Sequence, residues 1–299
     1  MATFLAQRKA EADILMLNHA FIATADYQAL LYTTDYSYVV GRRGTGKSAI
    51  YQQLKKIFSV DNNKILITEE LQDYEMLGSQ EILNSISSDY PLLRPLSRLL
   101  WTIHFLIKSL TAISKHYLFN KTEHVGLLNA DIRNHGSYCS GNGILNCVSL
   151  LKNVLSVMRK PEEISRIIVE KYQIGSITDA LKDTLELMGA QVIALYDRLD
   201  EAWIPEVASV SILGGLARTV AEYREKRFPL YPVLFIRDNM FRALAQFDND
   251  FTRHIEGHTL RLQWDEESLF HLIAARLRAA LKLESVESEV KVWNRFAQR

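Results

Sequence analysis

Eight consecutive residues, Gly41-Arg-Arg-Gly-Thr-Gly-Lys-Ser48, have the spacing of a phosphate-binding loop: a glycine, four residues, then Gly-Lys-Ser. For that chemistry, successive backbone N–H groups must converge on a polyphosphate. Side-chain bulk must be absent, and a helix must start where the loop ends so that its partial positive charge faces the anion. Gly41, Gly44 and Gly46 remove the bulk, Lys47 supplies a compact cation for the β and γ phosphates, and the Ser48 hydroxyl offers a ligand to Mg²⁺. The nucleotide-contacting stretch is therefore read as Gly41 to Ala49, including Thr45, with Arg42 and Arg43 facing solvent or a partner.

Such a loop needs a carboxylate at the end of a neighbouring strand to hold the metal. Val192-Ile-Ala-Leu-Tyr-Asp197 provides one, which makes Asp197 the second metal residue after Ser48. Past that strand end, Asp200 and Glu201 are the residues that could orient a water toward the γ-phosphate, where the alternative for each is to cap the following segment. After the apolar run Tyr231 to Ile236, Arg237 is placed to touch the γ-phosphate, the alternative being a salt bridge to Asp238 or Asp200. Arg276 and Arg278 could reach the nucleotide of their own or a neighbouring chain, or lie solvated on a helix.

Positioning these groups requires a parallel sheet. The β-rich run Tyr36 to Val40 enters the loop, the amphipathic run Ala49 to Phe58 leaves it, and Lys64 to Thr68 forms the next strand, a strand, helix, strand unit. Further strands are expected at Gln191 to Tyr196, Tyr231 to Ile236 and Thr259 to Trp264, and a helix from Asp265 to about Leu281. Residues 4 to 30 read as one helix, and helical segments dominate from 71 to 190, opening at Pro91 and Pro161 and broken by a loop at Gly136 to Gly143. The chain thus divides into four: residues 1–70 with the N-terminal helix and the phosphate-loop half of the nucleotide domain, 71–190 as a mostly helical insertion, 191–264 as the second half of the domain, and 265–299 as a C-terminal helical segment.

Composition narrows the classes. Of 299 residues, 48% are hydrophobic, enough for a large core, and disorder is excluded. Thirty-five Lys and Arg balance thirty-five Asp and Glu, so bulk charge indicates neither nucleic acid nor an anionic membrane, though a local basic patch stays open. Cys139 and Cys147 are too few for a disulfide scaffold. The run Leu99 to Leu110 is interrupted by His104 and Lys108 and falls short of the roughly 20 apolar residues of a membrane span, so it is expected to be a core helix. With no secretory signal in the first residues, the expected location is cytoplasmic, away from membranes. The eight histidines show no metal or nucleophile spacing and are read as structural or exposed. The four tryptophans are read as packing residues, with Trp203 and Trp264 wedging the sheet.

The combination GRRGTGKSAI, YDRLDEAW, FIRDN and LRLQWDEESLFHLIAARL resembles the bacterial P-loop ATPases related to the STAND and KAP groups, over roughly Glu11 to Arg278. The resemblance implies a three-layer α/β fold of the additional-strand (ASCE) type, with the catalytic strand inserted between the phosphate-loop strand and its first neighbour. It also implies ATP with Mg²⁺, Asp197 in the metal role and Asp200 or Glu201 in the water role. It further implies homo-oligomeric assembly under nucleotide control and a separate effector protein, such as a nuclease, in anti-phage or conflict systems. The leading expectation is a Mg-dependent ATPase; the alternatives are a nucleotide-binding scaffold with negligible hydrolysis and a DNA-stimulated ATPase. A GTPase is disfavoured because Asn120-Lys-Thr-Glu123 ends in the wrong acid for reading guanine. A compact small-molecule kinase is disfavoured by the long stretch between Lys47 and Asp197.

Overall fold

A computed structural model of the chain describes residue 17 and residues 19–135, 161–280 and 288–297. In chain order the elements are α1 (Ala25–Tyr32), β1 (Tyr38–Gly41), α2 (Lys47–Phe58), β2 (Lys64–Glu70), α3 (Asp73–Ile86), α4 (Tyr90–Ile113), α5 (Val125–His135), α6 (Pro161–Lys171) and α7 (Ile174–Met188). They continue with β3 (Gln191–Asp197), α8 (Val207–Glu225), β4 (Leu230–Arg237), α9 (Asp238–Phe247), α10 (Asn249–Ile255), β5 (Thr259–Arg261), α11 (Glu266–Ala280) and α12 (Glu289–Ala297).

The five strands form one sheet in the order β2-β3-β4-β1-β5, with every pair parallel. Alternate residues on the central strands enter different cores, as the two-residue period of a strand dictates. Val39, Ile193, Leu195, Val233 and Phe235 pack with Ile50, Tyr51, Leu54 and Phe58 of α2. Their neighbours Tyr38, Val40, Val192, Ala194, Tyr196, Leu234 and Ile236 belong to a second, larger core built with α3, α4, α7 and α8. Helices therefore cover both faces, and the helices between residues 71 and 190 contribute to the same core as the sheet.

At Gly215 the junction of α4 and α8 brings backbone close to backbone. A Cβ at Gly215 would lie 2.6 Å from the Arg98 nitrogen and from Ser97. Nearby, Trp101 Nε1 donates to the Ile212 carbonyl at 3.0 Å and Thr219 Oγ1 to the Arg98 carbonyl at 3.0 Å. The apolar run Leu99 to Leu110 lies inside α4, a 24-residue helix that by length and composition could cross a membrane, yet 72% of its apolar window is buried in the fold. Pro91 sits in its first turn, where a missing N–H is harmless.

Several expectations need correcting. The helix expected over 4 to 30 is interrupted: residues 19 and 20 are helical, 21–24 are not, and α1 begins after Thr24, whose side chain accepts from the Tyr27 N–H. Thr24 is thus an N-cap that competes with helix continuation. The strand expected to reach Trp264 stops at Arg261. The strand ending at Asp197 is not the neighbour of β1, because β4 lies between them, so two strands separate β1 from β2. Cys139, Cys147, the loop at Gly136 to Gly143 and residues 4–16 of the N-terminal helix lie outside the described residues.

Candidate functional site

Parallel strands deliver their C-terminal ends to one edge of the sheet, the edge where open α/β sheets take ligands. Register brings the expected residues there: Gly41 pairs with Arg237, and Glu70 pairs with Asp197. The loop from Gly41 runs straight into α2, whose N-cap is Gly46 in the left-handed region (φ 92°), and Gly44 is also left-handed (φ 87°). Side chains with a Cβ avoid that region, which explains glycine at both positions. Gly41 is required for space instead: a Cβ there would lie 2.5 Å from Thr45 Oγ1 and 3.2 Å from Leu262 Cβ.

The loop carbonyls are turned onto side chains. Lys47 Nζ donates to the Gly41 carbonyl at 2.7 Å and to the Arg42 carbonyl at 2.9 Å. Thr45 Oγ1 donates to the Arg42 carbonyl at 2.9 Å, and Trp264 Nε1 donates to the Thr45 carbonyl at 3.2 Å. The amides of Gly44, Gly46, Lys47 and Ser48 meet no backbone acceptor among the described residues. Unpaired amides at a helix N-terminus make an anion-receptive surface. Arg42 and Arg43 are exposed, in agreement with their expected orientation, and Ala49 is half-buried.

Asp197 is 4% exposed. Burial pushes its carboxyl above the ordinary carboxylate range, hydrogen bonds from the Arg198 backbone and the Ser48 hydroxyl pull it back down, and the charges of Asp200 and Glu70 push it up. Arg198, next in the chain, has a left-handed backbone (φ 58°), a conformation costly for a side chain with a Cβ. Burial lowers the Lys47 ammonium, Asp200 pushes it back up, Arg237 lowers it and Asp197 raises it, so these four charged groups act on one another. No group of three or more His, Cys, Asp or Glu side chains among the described residues forms a metal cluster. A hard cation here would take the Ser48 hydroxyl directly, be held by Asp197 through water, and fill the rest of its shell from phosphate and water, which is how Mg²⁺ is usually held.

The remaining acids are committed to partners. Asp200 forms an ion pair with Arg237, so the salt-bridge alternative for Arg237 is the arrangement present. Glu201 is turned to Asp73 at the start of α3; burial, then its hydrogen bond and like charge with Asp73, raise its carboxyl. Asp238 pairs with Arg242 at 2.8 Å. Glu70 was not anticipated: it lies opposite Asp197 in register and is flanked by Lys55 and Arg198, each at 3.7 Å. The signal for it was the Glu69-Glu70 pair just beyond the expected end of β2 at Thr68.

Beside the loop, a cleft of about 290 Å³ is walled by Phe21 and Ile22 on one side and by Leu262, Trp264 and Leu272 on the other, and reaches Gly44, Thr45 and Gly46. Asp26, Asp265 and Arg276 are its charged lining, and burial raises the Asp26 carboxyl. Arg276 thus reaches the cleft, whereas Arg278 is not part of its lining. Trp264 does not wedge the sheet as expected but bonds to the loop; Trp203 packs partly buried against the larger core.

Fold and site together describe an α/β protein with an all-parallel sheet and an anion-receptive loop at its C-terminal edge. No protein-family model matches the chain, and no solved structure does. Among curated proteins, the chain is 35% identical over 287 residues to the "Putative transposon gamma-delta 80.3 kDa protein" of Escherichia coli (strain K12), covering 96% of this chain and 41% of that protein. It is 44% identical over 61 residues to "Allergen Alt a 2" of Alternaria alternata, covering 20% of this chain and 32% of that protein. The chain therefore spans less than half the length of each relative.

Proposed function

We propose that the chain is a P-loop protein of the ASCE type that binds ATP with Mg²⁺ at Gly41 to Ala49, hydrolyses it, and uses the nucleotide state to control self-association or engagement of a partner. The observation that carries this reading is the conjunction of a glycine loop whose carbonyls accept from side chains, amides of Gly44, Gly46, Lys47 and Ser48 that meet no backbone acceptor among the described residues, and a buried Asp197 whose carboxyl interacts with the Ser48 hydroxyl. The sheet order, with the Asp197 strand and β4 both between the loop strand and β2, supports an additional-strand core. Mg²⁺ would supply charge neutralisation between the β and γ phosphates. The chain's own groups do the rest: the amides of Gly44, Gly46, Lys47 and Ser48 hold the phosphates, and Lys47 leaves the Gly41 and Arg42 carbonyls to reach them. The neighbouring cleft takes the nucleoside.

Lys47→Ala removes the cation and leaves the backbone cradle. In that variant Mg·ATP affinity and phosphate release should both be lost; undiminished turnover would refute the proposal.

A second reading, a nucleotide-controlled scaffold with negligible hydrolysis, is favoured by one observation: Asp200 is held in an ion pair with Arg237 and is not free to orient a water. Phosphate release at high protein concentration, with and without DNA, separates the two readings and the DNA-stimulated variant. The name of the 35%-identical relative turns the search for a partner toward transposon-carried proteins. The anti-phage setting and its nuclease-like effector, implied by the family resemblance, are tested by co-purification of partners with the full chain.

A further inference from the structure

The Thr45–Gly46 peptide is trans, as every peptide bond described here is. In a trans peptide the carbonyl and the following N–H point to opposite sides of the chain. Trp264 Nε1 holds the Thr45 carbonyl at 3.2 Å, and its ring lies 3.8 Å from where a Gly46 Cβ would stand. The Gly46 N–H is therefore directed away from Trp264, and no backbone acceptor among the described residues takes it. Glycine at 46, with no Cβ, would otherwise let this peptide rotate at little cost.

We propose that Trp264 is a latch: a positioning residue that fixes the Thr45–Gly46 peptide with its N–H presented to a bound phosphate, and so couples loop occupancy to the C-terminal helices. The coupling has a physical path. Asp265, next to Trp264, caps α11 by accepting from the Ser268 N–H at 2.7 Å, and Phe270 of α11 stacks at 6.2 Å on Trp293 of α12. A movement of α11 moves Trp264 and frees the loop peptide; by reciprocity, phosphate in the loop steadies α11. The role in nucleotide binding rests on the function proposed above; the peptide latch itself does not.

Trp264→Phe keeps the ring and deletes the donor. NMR of the nucleotide-free full chain should show the Gly46 amide displaced or broadened in this variant, with the amides of β2 and α8 unchanged. Mg·ADP should bind about three- to tenfold more weakly, the range set by one neutral hydrogen bond. An unchanged Gly46 amide in a folded variant, or unchanged Mg·ADP affinity, overturns the latch. Should the wild-type chain bind no nucleotide, the proposed function falls while the Gly46 amide still decides the latch. If the variant does not fold, exchange of the Trp264 indole N–H in the wild-type chain decides: protection relative to free indole is expected, and free exchange overturns the proposal.

Discussion

Replacing Asp197 by Asn separates two effects that the site combines. The amide oxygen can still accept from the Arg198 backbone and the Ser48 hydroxyl, so the geometry is retained while the charge is lost. Without nucleotide the charge is a burden, because burial raises the carboxyl. A folded-state carboxyl raised above its unfolded value destabilises only where it is ionised. The penalty is absent below about pH 4, the ordinary Asp value, and grows as pH rises through the raised one. The Asn variant should therefore melt higher than wild type at neutral pH, and the two should converge in acid. With Mg·ATP the order reverses. A ligand at a hundredfold over its Kd stabilises by about 2.7 kcal/mol, or roughly 5–10 °C in Tm for a chain of this size. Wild type should show that shift, and the Asn variant, lacking the carboxylate charge that helps hold the cation, a clearly smaller one. Thermal unfolding at several pH values, with Mg·ATP and with EDTA, makes the comparison. An Asn variant that is less stable than wild type at neutral pH without nucleotide, or that gains as much from Mg·ATP, would refute the reasoning.

Three further outcomes follow from the geometry. Gly41→Ala drives a Cβ into Thr45 Oγ1 and Leu262, so stability should fall by about 1–3 kcal/mol; adding Thr45→Ala should restore part of it in urea unfolding, since the closest contact, with Oγ1, is then gone and those with the Leu262 and residue-45 Cβ atoms remain. Gly215→Ala should destabilise by about 1–3 kcal/mol in the same assay, despite the roughly 1 kcal/mol that Ala gains in a helix, because the clash is with the Ser97 and Arg98 backbone, which cannot swing aside. Asp248 accepts from Arg218 at 2.6 Å, Arg94 at 3.1 Å and Tyr90 at 3.3 Å, tying α4 and α8 to the end of α9. Burial works against its charge, but Arg218 and then Arg94 outweigh that and hold its carboxyl below the ordinary range. Its contribution is present above the unfolded pKa and is lost as pH falls through the lower folded one; Asp248→Asn should thus unfold at lower urea at neutral pH, with the gap to wild type closing in acid.

The parallel sheet was legible because each central strand is a short apolar run next to a turn or a loop, and all five strand starts fall within two residues of the pattern. The loop was legible because three glycines, a lysine and a hydroxyl stand at fixed spacing between a strand and a helix. What escaped is long-range. Nothing local says that β4, rather than the Asp197 strand, lies beside β1, since strand order is decided by how the helices pack on both faces. Glu70 escaped because its importance comes from lateral register with Asp197. Trp264 escaped because its indole N–H bonds to a carbonyl more than 200 positions away in the chain. Asp200 and Glu201 were visible as acids beyond a strand, but their partners Arg237 and Asp73 come from other elements, and the partners decide whether either acid is free.

The central claim is that the amides around Thr45 and the Asp197 carboxylate share one metal–polyphosphate complex. Diffraction from crystals grown with Mn²⁺ and a slowly hydrolysed ATP analogue tests it directly. The account predicts an anomalous peak bonded to the Ser48 hydroxyl and within one water of Asp197, with the β-phosphate against the Gly44 to Ser48 amides. A peak at another site, or a nucleotide bound away from the loop, would contradict it.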